Sequence, residues 1–101
     1  VNMDDNKLQS DIIRAEKARL LLDSDLLIEA LDTIEKDVVS MWGDTPARDK
    51  DGKEALWQLY KTSQKFRALL LGYIETGKYA QSELARYEKH QSKLRALFRA
   101  A

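Results

Sequence analysis

An all-α fold is what this sequence predicts, on three grounds. Ala, Leu, Lys, Glu, Arg and Gln dominate, while the 101 residues include only four Gly and one Pro, the two strongest helix breakers. β-Branched residues are sparse outside the stretches DIIRA and KDVVS. Apolar residues recur at three- and four-residue intervals along most of the chain, which is the period of one helix face. A chain of this size buries only roughly two-thirds of its unfolded surface, so its core is modest and a partner would help to complete it.

Helix A is expected from about Asp5 to Leu22, because Leu8, Ile12, Ala15 and Leu22 keep a helical spacing interrupted only by Arg19. The stripe then breaks at Asp23, Ser24 and Asp25, whose side chains accept hydrogen bonds from the N–H groups of a new first turn. Helix B follows, with Leu27, Leu31, Ile34, Val38 and Met41 as its stripe and Ala30, Val39 and Trp42 widening it into a face. Gly43 is placed to end this helix in a left-handed turn, and Thr45-Pro46 reads as an N-cap followed by a first-turn proline.

The connection ARDKDGKEALWQ resembles a calcium loop, but with Gly52 at the sixth position Ala47 falls where the first carboxylate belongs. Gln58 falls where the bidentate Glu belongs, which leaves too few ligands. Asp51 with Glu54 is read instead as a capping pair at the start of helix C. Trp42 and Trp57, to either side of this turn, are expected to meet near its closed end and to pack in the core.

Helix C carries the longest pattern. Leu56, Leu59, Ser63, Phe66, Leu70, Tyr73 and Gly77 alternate spacings of 3 and 4, and Ala80, Leu84, Tyr87, Gln91, Leu94 and Phe98 continue the same heptad register. That register passes through LLLGYIETGKY, where Gly72 to Lys78 supply the G-x-x-x-x-G-K of a phosphate-binding loop. The residue after Lys78 is Tyr79, where a Ser or Thr is needed to hold magnesium, and the preceding run has helical rather than strand period. A nucleotide site is therefore rejected. Gly77 is read as a break or kink in the helix, the alternative being a small residue where two helices approach closely.

The seam changes character at that glycine. Before it the flanking residues are Ala55, Tyr60, Leu69 and Ile74, a broad apolar face suited to a bundle. After it they are Glu83, Glu88, His90 and Arg95, a narrow seam edged by charge as in a coiled coil. The expected organisation is a helical hairpin domain over residues 1–77, built from helices A, B and C, and a C-terminal helix over 78–101 that serves oligomerisation through Leu84, Tyr87, Gln91, Leu94 and Phe98.

Charge is balanced overall, with 17 basic and 17 acidic residues, but unevenly placed. Residues 1–44 hold 5 basic and 11 acidic side chains, and residues 78–101 hold 6 and 2. An acidic first half and a basic tail can pair, within a subunit or between subunits. Lys78, Arg86, Lys89, Lys93, Arg95 and Arg99 are the candidate nucleic-acid contacts, with Tyr79, Tyr87 and Phe98 nearby for stacking.

Little else suggests chemistry. The absence of Cys removes disulfides, thiolate nucleophiles and Cys-based metal sites. His90 is the only histidine, flanked by Lys89 and Lys93, and Asp25, Glu29 and Asp32 form an acidic line better read as a solvated face than as a metal or catalytic site. No nucleophile with an adjacent base is visible, so the sequence points to a non-enzymatic protein without cofactor or metal. No apolar run reaches the roughly 20 residues of a membrane span, and the amino terminus lacks the pattern of an export signal, which points to a soluble chain.

The run Asp25-x-Leu27 through Glu29-Ala30, Trp42 and Thr45, then Lys53-Glu54-x-Leu56-Trp57 and Thr76-Gly77-Lys78-x-Ala80, resembles small helical proteins of tailed bacteriophages and prophages found among head and packaging genes. The resemblance covers about residues 8–85 and carries no catalytic residues to transfer. It implies a virion or host-cytoplasmic location and an accessory role in virion assembly, DNA packaging or takeover of the host, with other phage structural proteins as partners; the expected homo-oligomer rests on the heptads alone. A nucleic-acid-associated packaging or regulatory factor and an inhibitor of a host protein are the alternatives it leaves open.

Overall fold

The computed structural model describes residues 3–100 and is all-α. Among the described residues there are three helices, α1 (Met3–Leu22), α2 (Asp25–Asp44) and α3 (Lys50–Ala100), and no strand. α2 and α3 form a helical hairpin, and α3 is a single long helix of 51 residues. The chain divides into two compact units: Arg19–Leu71, and the chain up to Ala18 together with that from Gly72 onward.

The break between α1 and α2 is where the sequence places it. The Asp23 N–H donates to the Arg19 carbonyl at 3.0 Å and Ser24 N–H to Leu21 at 3.1 Å, which closes α1. The extended Ser24 then caps α2, its hydroxyl accepting from the Leu27 N–H at 3.3 Å.

The α2–α3 turn differs from expectation at each of its punctuating residues. Gly43 lies inside α2, and no residue of the described chain has positive φ, so there is no left-handed cap. Thr45 ends α2 instead of starting a helix. Its hydroxyl donates to the Met41 carbonyl at 2.6 Å and its N–H to Trp42 at 3.3 Å, while Lys53 Nζ donates to the same Trp42 carbonyl at 3.0 Å. With those last carbonyls satisfied by side chains, a glycine cap is unnecessary. Pro46 opens a turn closed by Asp49 N–H at 2.9 Å.

Asp49, two residues before the expected capping pair, caps α3: its carboxylate accepts from Gly52 N–H at 2.9 Å. A side chain at Gly52 would overlap that carboxylate, so glycine leaves room for the cap. Glu54 turns along the helix and accepts from Gln58 at 2.9 Å.

In the Arg19–Leu71 unit the antiparallel hairpin buries Leu31, Val38, Ser63 and Leu70. The covered line on α3 runs Leu56, Tyr60, Ser63, Arg67, Leu70, so one row of the predicted heptad is kept and the other is displaced by a position. Leu59 and Phe66 stand exposed, as do Ile34 and Met41 of the α2 stripe. Two helices in contact cover only a narrow strip of each other; a second row needs a third helix.

In the other unit α1 lies against α3 through small residues. Ala15, Ala18, Gly77 and Ala80 are buried, Ala80 completely. A methyl group at Gly77 would overlap that of Ala15 and lie 3.3 Å from the Asp11 carbonyl oxygen. Gly77 is thus the close-approach residue, not a break: α3 continues through it. The Arg14 guanidinium sits 5.4 Å from the centroid of the Tyr73 ring, sealing one side of this contact.

Candidate interaction surfaces

The apparent phosphate loop, Gly72 to Lys78, is helical throughout, so its N–H groups point along the helix and form no cradle. Lys78 reaches Glu75 at 3.4 Å, one turn back. Among the described residues no group of three or more His, Asp or Glu is placed to hold a metal ion. Asp25, Glu29 and Asp32 line an open groove with Lys36, and Asp32 is engaged by Arg67. His90 is exposed on α3 beside Arg86, Lys89 and Lys93. Among the described residues no helix is long and apolar enough to cross a membrane.

One polar cluster lies in the hairpin. Arg67 Nη2 donates to Asp32 at 2.6 Å and Nε to Glu35 at 3.0 Å, and the buried Ser63 hydroxyl donates to the same Glu35 oxygen at 3.3 Å. Partial burial lowers the Arg67 pKa, but the hydrogen bonds and charges of Glu35 and Asp32 outweigh it and hold the guanidinium above its ordinary value. The cluster fixes the register of α2 on α3. A one-turn slip would strand Glu35 without its partners.

The closed end of the hairpin is aromatic. Val38, Val39, Trp42, Leu56, Trp57 and Tyr60 line an almost wholly apolar cleft of about 250 Å³. Trp57 stacks on Tyr60 with ring centroids 6.3 Å apart. Lys53 Nζ sits 3.6 Å from the Trp42 centroid and Lys61 Nζ 4.8 Å from that of Trp57. The two tryptophans share the cleft, as their spacing suggests, but each is 47% exposed, so they line a surface rather than fill a core. The helices end at Asp44 and restart at Lys50, which shifts the turn toward Trp42 and sets Lys53 over its ring.

The predicted oligomer row divides. Leu84 and Gln91 are half-buried, whereas Tyr87, Leu94 and Phe98 are exposed, Phe98 at 79%. Leu97, off the heptad row and missed by it, is also bare. The predicted basic contacts divide as well. At roughly 100° per residue, Lys78, Arg86, Lys89 and Lys93 fall within an arc of about 80° on the side of α3 away from its buried row, while Arg95 and Arg99 lie outside it. Arg86 is 3.5 Å from Glu83. Compared with protein-family models, curated proteins and solved structures, the chain gives no match.

Proposed function

We propose that this chain is a non-enzymatic assembly protein of a tailed phage, which self-associates and joins other virion components by laying bare apolar helix rows against neighbouring helices. The phage setting comes from the sequence resemblance. The mode of action rests on one observation: the row Tyr87, Leu94 and Phe98 stands exposed along α3 with a charged margin, an arrangement that excludes water only when another helix covers it. An aromatic-rich row of this kind supplies anchors for helix pairing. Light scattering on the purified chain at about tens of micromolar, a typical range for such contacts, tests the mode of action: oligomers support it and a monomer overturns it. Mass spectrometry of purified virions tests the setting, since a fixed copy number supports an assembly role and absence removes it.

A second reading draws on the basic arc. Lys78, Arg86, Lys89 and Lys93 share one exposed face of a helix, a spacing that follows a phosphate backbone. Glu75 and Glu83 sit next to Lys78 and Arg86 and weaken that field. A gel shift of duplex DNA that fades steeply as salt is raised favours this reading; no shift at low salt removes it.

A further inference from the structure

The tail of α3 and the hairpin carry opposite charge, and each leaves an apolar row uncovered. Within the Arg19–Leu71 unit, Ile34 and Met41 of α2 and Leu59 and Phe66 of α3 are 40–56% exposed. By helical rotation they share one edge of the hairpin, the edge opposite the Arg67–Asp32 bridge. Two packed helices with bare outer rows present a groove that fits one further helix bearing a single apolar row.

The charges indicate which helix. α2 carries six acidic residues and one basic, net −5. Residues 84–99 carry five basic and one acidic, net +4, around the row Tyr87, Leu94 and Phe98. Pairing two tails with each other sets +4 against +4. Asp32 and Glu35 lie on the opposite edge, held by Arg67, but Asp37 and Asp44 lie on the outer flank of this one, so a tail of +4 set there meets carboxylates instead of a second +4. Packed helix axes are about 8–10 Å apart and the screening length at physiological salt is about 8 Å, so charges flanking such a contact still act. Lys65, on the α3 flank of the edge, opposes the tail, but α2 outweighs it.

We infer that the tail of one copy, residues 84–99, docks on the Ile34–Met41–Leu59–Phe66 edge of a second copy, a head-to-tail contact. This rests on the self-association proposed above and names its two surfaces. Because the contact joins different patches, two copies close it only by exchanging tails reciprocally; otherwise every copy added leaves one tail and one edge open, and the product is a ring or a growing chain.

The chain has no cysteine, so paired single-cysteine variants report the contact without background. Leu94→Cys and Met41→Cys are purified separately, mixed and oxidised, and the products read on a non-reducing gel. The expected result is a mixed dimer several-fold more abundant than either like-with-like dimer, falling as salt is raised to about 0.5 M, where screening is short-ranged. Dominant Leu94→Cys homodimer overturns head-to-tail docking and leaves self-association standing. Mixed dimer that is insensitive to salt overturns the charge pairing. An unmodified chain that stays monomeric in light scattering removes both.

Discussion

Gly77 of α3 faces Ala15 of α1 so closely that a methyl group at position 77 would overlap the Ala15 side chain. Helix propensity alone favours Ala over Gly by about 1 kcal/mol. Here overpacking outweighs it, because the obstacle is a fully anchored Cβ with backbone behind it, and such overpacking costs about 1–3 kcal/mol. Gly77→Ala is expected to lower stability to urea, whereas Gly72→Ala, with nothing within 4 Å of the added methyl, is expected to raise it by up to about 1 kcal/mol. Equal gains at both positions would mean that the helices do not meet at Gly77.

The contrast shows what the sequence reveals and what it hides. The all-α class, the Ser24 reset and the helical period through residues 56–98 are local properties, legible from spacing and capping chemistry, whereas the break expected at Gly77 does not occur. Which row of a wide apolar face is covered is not local. Leu59 and Phe66 have the right spacing, yet Tyr60 and Arg67 lie closer to α2, because Glu35 and Asp32 draw the guanidinium into the seam. The expected Gly43 cap is absent for the same reason: the ligands for the last carbonyls of α2 come from Thr45 and, eleven residues on from Trp42, from Lys53. The tail row Leu84 to Phe98 is legible as an apolar seam, but its division into half-buried Leu84 and bare Phe98 is not, because it depends on tertiary packing.

The Arg67 cluster sets a second prediction. Glu35 accepts from both Arg67 and Ser63, whereas Asp32 accepts from Arg67 alone among the described contacts. Glu35→Gln is therefore expected to lower the melting midpoint more than Asp32→Asn. The raised Arg67 pKa keeps its contribution intact below the ordinary arginine value, and that contribution is lost only as pH rises through the still higher folded value. Alkaline pH within the usual range leaves it in place, so salt is the appropriate probe. A double-mutant cycle of Arg67→Met with Glu35→Gln should show coupling that shrinks in high salt; strict additivity would remove the cluster from the fold's energetics.

The start of α3 gives a third. Asp49 holds the Gly52 N–H, while Asp51 contributes only a favourable charge in the first turn. Asp49→Ala is expected to cost about 1 kcal/mol and Asp51→Ala a few tenths. Chemical denaturation of the two variants distinguishes them, and the reverse order would restore Asp51 as the cap.

Trp42 and Trp57 line one cleft, so their losses should not add. Removing either ring opens the cleft for the other, and neighbours that share a cavity couple by about 0.5–3 kcal/mol. The double Trp42→Ala/Trp57→Ala variant should lose less stability than the two single losses combined. Lys53→Met should by itself shift Trp42 fluorescence, because it removes a cation 3.6 Å from that ring.

The last prediction concerns where α3 can be cut. Truncation after Gly77 would remove Ala80, which is completely buried, and half-buried Leu84. α1 would lose part of the surface that covers Ala15, and a helix of 20 residues is marginal in water without that cover. Such a cut should lower helicity and melting temperature, not association alone. Truncation after Gln91 is the cleaner test. It removes Leu94, Leu97 and Phe98, all exposed, together with Lys93, Arg95 and Arg99, and leaves the small-residue contact at Gly77 and Ala80 untouched. The shortened chain is expected to melt within a few degrees of the full one, since exposed positions contribute within about 0.5 kcal/mol each. Its scattering mass should fall to that of a monomer while the full chain stays associated. Retained association after this cut would place the contact elsewhere, with the aromatic cleft at Trp42 and Trp57 as the next surface to vary.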